Sequence, residues 1–457
     1  MRSSIVLISL CVLALGAFVA AQSDVAITIY NNNLGLVKDV RNLPLQKGIA
    51  SLDFDDVASQ IDATSVNFRC LDDKNVEVLE QNYLYDLVST EALLKRYLGM
   101  EIEMFGENQA HYKGKLLSYD RTNVILQSDD GQVMMVSLDK VVDYKFPSLP
   151  DGLILKPTLR WEIESPSAGR KRCEVSYLTL GINWNADYVA VVNDKDSQLN
   201  LSGWVTINNQ SGATYNDAKL KLVAGDIHQV TATPRGPRIS MNMSAKGAVP
   251  QFEEESFFDY HLYTLNRPAT LHDNEIKQLT LFPSTEAKVK KIYVFDSQNT
   301  SYRGDNNQNK VKVNLEFKNS EADGLGMPLP KGKIRVYKED SQKALQFIGE
   351  DMIDHTPKDE DVRVYIGDAF DIVGERKQVN VEDLGKGRRR ETYEITLKNH
   401  KDEPVTVTVI EHPQGWREWQ IRDSSLEYHK IDNYKIEFNV DVKAGSEETL
   451  TYVIQYF

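Results

Sequence analysis

The stretch Ile436–Phe457, IEFNVDVKAGSEETLTYVIQYF, decides the fold. Ile436, Phe438, Val440 and Val442 alternate with polar residues, the turn KAGSEE follows, and Leu450, Tyr452, Ile454 and Tyr456 alternate again. A period of two means strands with one buried and one wet face, the signature of antiparallel sheets. The same stretch argues against an outer-membrane barrel. A lipid-facing last strand would carry apolar residues in step with Phe457, yet Gln455, Thr451 and Thr449 share that face with a single Val453. The apolar residues lie on the opposite face, as in a strand packed on a sandwich core.

Working outward, similar ladders occur at Val25, Ile27, Ile29, at Val311, Val313, Leu315, Phe317, and at Val405, Val407, Val409. One helix interrupts them. In STEALLKRYLG, Ser89 or Thr90 supplies the cap, Leu93, Leu94, Tyr97 and Leu98 form the stripe, and Gly99 ends it. Short strand-like runs from Met100 to Phe146, broken by GEN, YDRTN and SDDG, have the rhythm of a small barrel. The predicted fold class is mainly β: antiparallel β-sandwich domains with a small SH3-like or Sm-like barrel insert and one short helix. The segments expected are 22–98 (strands plus helix, joined to the central sandwich), 99–148 (barrel insert), 153–228 (central sandwich), 229–255 (a flexible loop rich in Pro, Gly, Ser and Met) and 256–457 (a C-terminal sandwich region). No repeat at a fixed short period is visible.

The chain opens MRSSIVLISLCVLALGAFVAAQSD, with cationic Arg2, an apolar run from Ile5 to Val19, and Val19 and Ala21 placed for cleavage. This reads as a secretory signal peptide over residues 1–21, and the apolar run is shorter than the roughly 20 residues of a spanning helix. Export is therefore expected, to the periplasm first, with the cell surface or medium as alternatives, and with no transmembrane span after cleavage. The formal net charge of -14 disfavours nucleic acid as a partner. Beyond the leader only Cys70 and Cys173 are left, which excludes a cysteine-cage metal site. They either pair as a disulfide or stay as two separate buried thiols.

The densest cluster of carboxylates lies in IGEDMIDHTPKDEDVRVYIGDAFDI, Ile348–Ile372. The order of Asp354, Asp359, Glu360 and Asp361 does not fit a calcium loop, and the alternation on either side predicts a strand, a solvated turn at Pro357 and a returning strand, that is, a hairpin. The sequence contains no GxSxG, HExxH, P-loop or CxxC motif, and its eight histidines never fall at metal-ligand spacing. No catalytic, cofactor-binding or metal-ligating residue is assigned, and no cofactor. Glu253, Glu254 and Glu255 read as a solvated run. Phe257, Phe258, Tyr260, His261 and Tyr263 are the candidate ligand-binding residues, since aromatic rings stack on sugars. Trp184, Asp187 and Tyr188 read as core.

The ordered motifs WNADYVAVV (184–192), YTLNRPATLHDNEIKQLTLF (263–282), MPLPKGKIRVYKED (327–340), IGEDMIDHTPKDEDVRVYIGDAF (348–370) and EHPQGWREW (411–419) resemble the bacterial exported proteins grouped as domain of unknown function 4139. LEQNYLYDLVSTEALLKRYLG (79–99) joins that likeness, and there is a distant similarity to mucoidy-inhibitor-like proteins, whose coiled-coil portion is missing here. The resemblance implies no activity, substrate or site residue. The expectation is an exported, non-enzymatic β-sandwich protein that binds or scaffolds in the bacterial cell envelope, with an envelope protein or glycan as partner. The alternative is a carbohydrate-binding or carbohydrate-processing envelope protein.

Overall fold

The structure, a computed structural model, describes residues 24–150, 153–225, 252–257, 260–297 and 309–457. The signal-peptide expectation for residues 1–21 lies outside the described residues. The chain is mainly β, as its alternation predicts, with one α-helix, Thr90–Arg96, among the described residues. The strands Ile436–Val442 and Ser446–Tyr456 bury Ile436, Phe438, Val440, Val442, Leu450, Tyr452, Ile454 and Tyr456 in one core. They do not pair with each other. Ile436–Val442 pairs with Val405–Glu411, whereas Ser446–Tyr456 pairs with Arg388–Asn399, so the KAGSEE turn connects two separated parts of a nine-stranded sheet. Burying each such side chain contributes about 1.5–3 kcal/mol.

Among the described residues three strand pairs are parallel: Asp24–Tyr30 with Tyr215–Ala224, Ile182–Val192 with Gly332–Glu339, and Lys290–Asp296 with Val405–Glu411. A buried asparagine precedes the second strand of each pair: Asn209, Asn319 and Asn399. Asn209 Nδ2 donates to the carbonyls of Ala213 at 2.9 Å and His272 at 3.0 Å. Asn319 Nδ2 donates to those of Met327 at 2.7 Å and Pro357 at 2.8 Å. Asn399 Nδ2 donates to those of Glu403 at 2.8 Å and Lys443 at 3.1 Å. Each Oδ1 in turn accepts a backbone N–H, from Ser211, Gly326 and Lys401 respectively. Where the chain leaves a strand and turns across the sandwich, backbone groups lose their ladder partners, and a buried carboxamide replaces them. The fold thus repeats one device three times at uneven spacing.

These crossings correct the expected division of the chain. An eight-stranded sheet joins Asp24–Tyr30 and Leu34–Leu45 to Tyr215–Ala224, Tyr260–Leu265 and Phe252–Phe257. It shares a continuous core with the five-stranded sheet of Ile182–Val192, Gln198–Asn209, Glu275–Lys288, Gly332–Glu339 and Leu345–Ile353. Much of the expected C-terminal region therefore completes the central core, and a second core begins near Tyr293. The loop expected over 229–255 also ends earlier, because Phe252–Glu255 lie in a strand paired with Tyr260–Leu265; its residues 229–251 lie outside the described residues.

The insert is a five-stranded antiparallel meander whose last strand, Val141–Lys145, returns to pair with its first, Glu101–Gly106. That is the strand order expected of a small barrel, but the pairings leave the sheet open. Its core of Ile102, Met104, Leu116, Val124, Leu126 and Val136 also takes Leu94 and Tyr97. The helix, expected to belong with the preceding segment, packs with the insert, because its apolar stripe is covered there. Ser89 caps it, its Oγ accepting from Ala92 N at 3.1 Å. At the base, Val88 N donates to Ile154 O and Ile154 N to Asp86 O.

Candidate functional site

The predicted ligand-binding residues do not form one face. Phe258 lies outside the described residues, as does the side chain of Phe257. In the strand Tyr260–Leu265, the period of two sends Tyr260 to one side and His261 and Tyr263 to the other. Tyr263 is buried edge-on to Trp184, and its hydroxyl donates to Pro328 O at 3.2 Å. Burial pushes its phenol well above the ordinary range. Tyr188 makes the companion bond, donating to Pro330 O at 2.7 Å, so Tyr188 and Tyr263 clamp the Pro328–Pro330 turn, while the Trp184 indole N–H donates to Val223 O at 3.1 Å. All three are core, as read for Trp184 and Tyr188 and contrary to the expectation for Tyr263.

Glu254 is the inward member of its carboxylate run, with Glu253 and Glu255 exposed. Its Oε1 lies 2.7 Å from His261 Nδ1, and both side chains are about a quarter to a third exposed, at 25% and 30%. This pair is the closest approach to acid–base chemistry near the predicted residues. A glycosidase also needs a second carboxylate placed across a cleft.

The segment around HTPK is a corner. Leu345–Ile353 pairs with Gly332–Glu339, while Asp361–Gly385 pairs with Asn309–Lys318 and Arg388–Asn399, so the flanking strands enter different sheets and the expected hairpin is not formed. The reason is the buried Asn319, which holds the turn from the opposite side. Asp354 and Asp359 are exposed, Asp351 Oδ2 accepts from Tyr365 N at 2.7 Å, and His355 Nδ1 accepts from Lys331 N at 3.1 Å. Among the described residues no three His, Cys, Asp or Glu side chains converge as a metal-binding group.

Three features were not read from the sequence. The first is a buried charge network. Arg376 Nε donates to Glu411 Oε1 at 2.9 Å, Nη2 donates to Oε2 at 2.9 Å, and the Tyr452 hydroxyl donates to Oε2 at 2.5 Å. The Arg376 guanidinium lies 3.9 Å from the Tyr393 ring centroid. Burial alone would weaken its charge, but the Glu411 carboxylate outweighs it and raises the Arg376 pKa. Glu411 is fully enclosed, so the network holds the sandwich together rather than presenting a reactive group. The second is a shallow cleft between Pro44–Gln46 and Ala50–Leu52, about 220 Å³ including open solvent. No ionisable side chain lines it, which leaves it without a group for acid–base or nucleophilic work.

The third is an apolar strand at a sheet edge. Leu345–Ile353 is last in its five-stranded sheet, and Leu345, Gln346, Phe347 and Ile348 are exposed in succession. Met352 on the same strand and Phe370 on the neighbouring one are also exposed, Phe370 at 95%. A run of exposed apolar residues on an unpaired strand edge is the usual template for adding a partner segment. Sequence alternation predicts the strand but not its place at a sheet edge, because edge position depends on which strands pair.

Comparison with curated proteins finds no match. A family model does match, over residues 173–456, which takes in the motifs from WNADYVAVV to EHPQGWREW but leaves out the helix motif at 79–99. With more than half of its length matched, the chain belongs to the family described as domain of unknown function (DUF4139).

Proposed function

We propose that this is an exported, non-enzymatic protein that binds or scaffolds a partner protein in the cell envelope, and that the edge strand Leu345–Ile353 is the surface that holds the partner. The observation that carries the reading is the exposure of Leu345, Phe347 and Ile348 on an unpaired edge. An edge of this kind offers backbone hydrogen bonds for affinity and apolar side chains for specificity. The leader-like opening of the sequence supports export. The carbohydrate reading is the weaker one, since it needs an aromatic face that Tyr260 and Tyr263 do not share.

The test is a photo-crosslinking residue placed at Phe347 in intact cells, followed by fractionation and identification of adducts. A single envelope protein captured from Phe347, and not from exposed Lys195, supports the proposal. Retention in the cytoplasmic fraction, or equal capture from both positions, overturns it.

A further inference from the structure

Cys70 and Cys173 are 103 positions apart, with the whole insert between them, yet they are direct cross-strand neighbours. Asn67–Cys70 runs antiparallel to Gly169–Thr179 with Cys70 opposite Cys173, Arg69 opposite Glu174 and Phe68 opposite Val175. Leu71 N donates to Arg172 O at 2.8 Å, while Arg172 N donates to Asp72 Oδ2 at 2.7 Å in place of the return backbone bond, so Leu71 and Arg172 hold the hydrogen-bonded position at the end of this ladder. The alternation of an antiparallel ladder then puts the cysteines at the non-hydrogen-bonded position, where Cα atoms are about 4.5 Å apart and side chains are closest. That separation falls inside the range a disulfide spans, about 4.4–6.8 Å.

The surroundings hold this register. Arg69 Nη2 lies 2.8 Å from Glu174 Oε1, Lys171 Nζ lies 2.6 Å from Asp73 Oδ2, and Arg172 Nε lies 3.2 Å from Asp72 Oδ1. Ion pairs thus flank the cysteines on both sides along the ladder. Both thiols are free and buried in the core, on the same face of the sheet. Burial, and then the Cys70 side chain beside it, push the Cys173 thiol up to about 12.

We propose that Cys70 and Cys173 form an intramolecular disulfide when the chain meets a disulfide oxidant, covalently closing the base from which the five-stranded unit projects. The oxidant is named by class as a small-molecule or protein disulfide. One cysteine thiolate attacks it, forming a mixed disulfide and releasing one thiol; the second cysteine attacks that mixed disulfide, forming the Cys70–Cys173 bond and releasing the second thiol. Two electrons and two protons pass to the oxidant, which leaves as two thiols. The raised thiol pKa slows attack in the folded state. Bond formation therefore belongs to folding, or to openings of the four-residue edge strand Asn67–Cys70. The chemistry rests on the register and does not depend on where the protein resides.

The experiment uses the full chain carrying Cys11→Ser, so that Cys70 and Cys173 are its two thiols, reduced and unfolded in urea, then refolded with oxidised glutathione. Thiols are alkylated under denaturing conditions and counted by mass. The expected result is no alkylatable thiol, a mass lower by the two hydrogens lost, a non-reduced peptide joining Cys70 to Cys173, and a higher thermal midpoint that reductant reverses. Two free thiols, or two glutathione adducts, after refolding to the native circular dichroism spectrum would overturn it. Cys70→Ser in the same Cys11→Ser background serves as the control: its one remaining thiol, Cys173, can take only one glutathione, and it should show no reductant-sensitive rise in midpoint.

Discussion

The Asn319 carboxamide donates to the Pro357 carbonyl oxygen at 2.8 Å, tying the end of one strand to a turn 38 residues later. The backbone of Asn319 adds to the link, with its N–H donating to Glu360 O and its carbonyl accepting from Asp359 N. Removing the side chain leaves buried carbonyls without donors. Asn319→Ala should therefore cost about 2–4 kcal/mol, read as a lower urea midpoint.

The acidic turn itself should be tolerant. Asp354→Ala is expected to change stability by less than about 0.5 kcal/mol. Asp359 sits at φ 68°, so Asp359→Gly should be neutral or slightly favourable. Metal analysis of the purified protein and of both variants should give the same content; stoichiometric calcium or zinc lost from either variant would contradict this.

Glu411 is 1% exposed and accepts from both Arg376 and Tyr452. Glu411→Ala strands the guanidinium in the core and should cost about 3–5 kcal/mol. The double change Arg376→Met with Glu411→Leu removes both charges and should recover most of that loss, as measured by urea unfolding. A double variant as unstable as the single one would show that the tyrosine bonds, and not the stranded charge, set the cost.

The insert should be removable only with its helix. Replacing residues 89–150 by a short Gly/Ser linker cuts above the backbone bonds that join Val88 to Ile154 and Ile154 to Asp86, and should leave a folded monomer with cooperative unfolding. Replacing 99–148 alone leaves Leu94 and Tyr97 without the core that covers them, and removes the Ser148 carbonyl that accepts from the Tyr97 hydroxyl at 2.6 Å. That variant should aggregate on size-exclusion chromatography.

Alkaline pH should weaken the reduced protein through Cys173. Its thiol ordinarily titrates at 9.0 and is pushed up to about 12 in the fold, first by burial and then by Cys70. A raised folded-state pKa means that the fold favours the neutral thiol, so this contribution is complete below pH 9 and is lost as pH rises toward about 12. Urea midpoints of the reduced protein should fall more steeply above pH 9 than those of Cys173→Ala; the buried tyrosines act equally in both. Parallel slopes would count against the shift.

Much of the local structure was legible in the residues themselves. Val25, Ile27 and Ile29 announce a half-buried strand because alternation acts within one segment, and Ser89 and Gly99 announce the ends of a helix because capping is local. The candidate site was less legible. Tyr260, His261 and Tyr263 look like one aromatic surface when counted along the chain, but a strand turns neighbours to opposite faces, and Trp184 from another strand decides which face is covered.

The sequence by itself determined that alternating segments such as Asp24–Tyr30 become strands and that Ser89 starts the one α-helix among the described residues. Only the tertiary structure decided that HTPK is a corner between sheets, that Cys70 faces Cys173, and that Asn209, Asn319 and Asn399 repeat one device. It also decided that Arg376 meets Glu411. The physical reason is that alternation reports only whether a side chain will be buried, whereas its partner depends on parallel pairings that join strands far apart in the chain, such as Asp24–Tyr30 with Tyr215–Ala224.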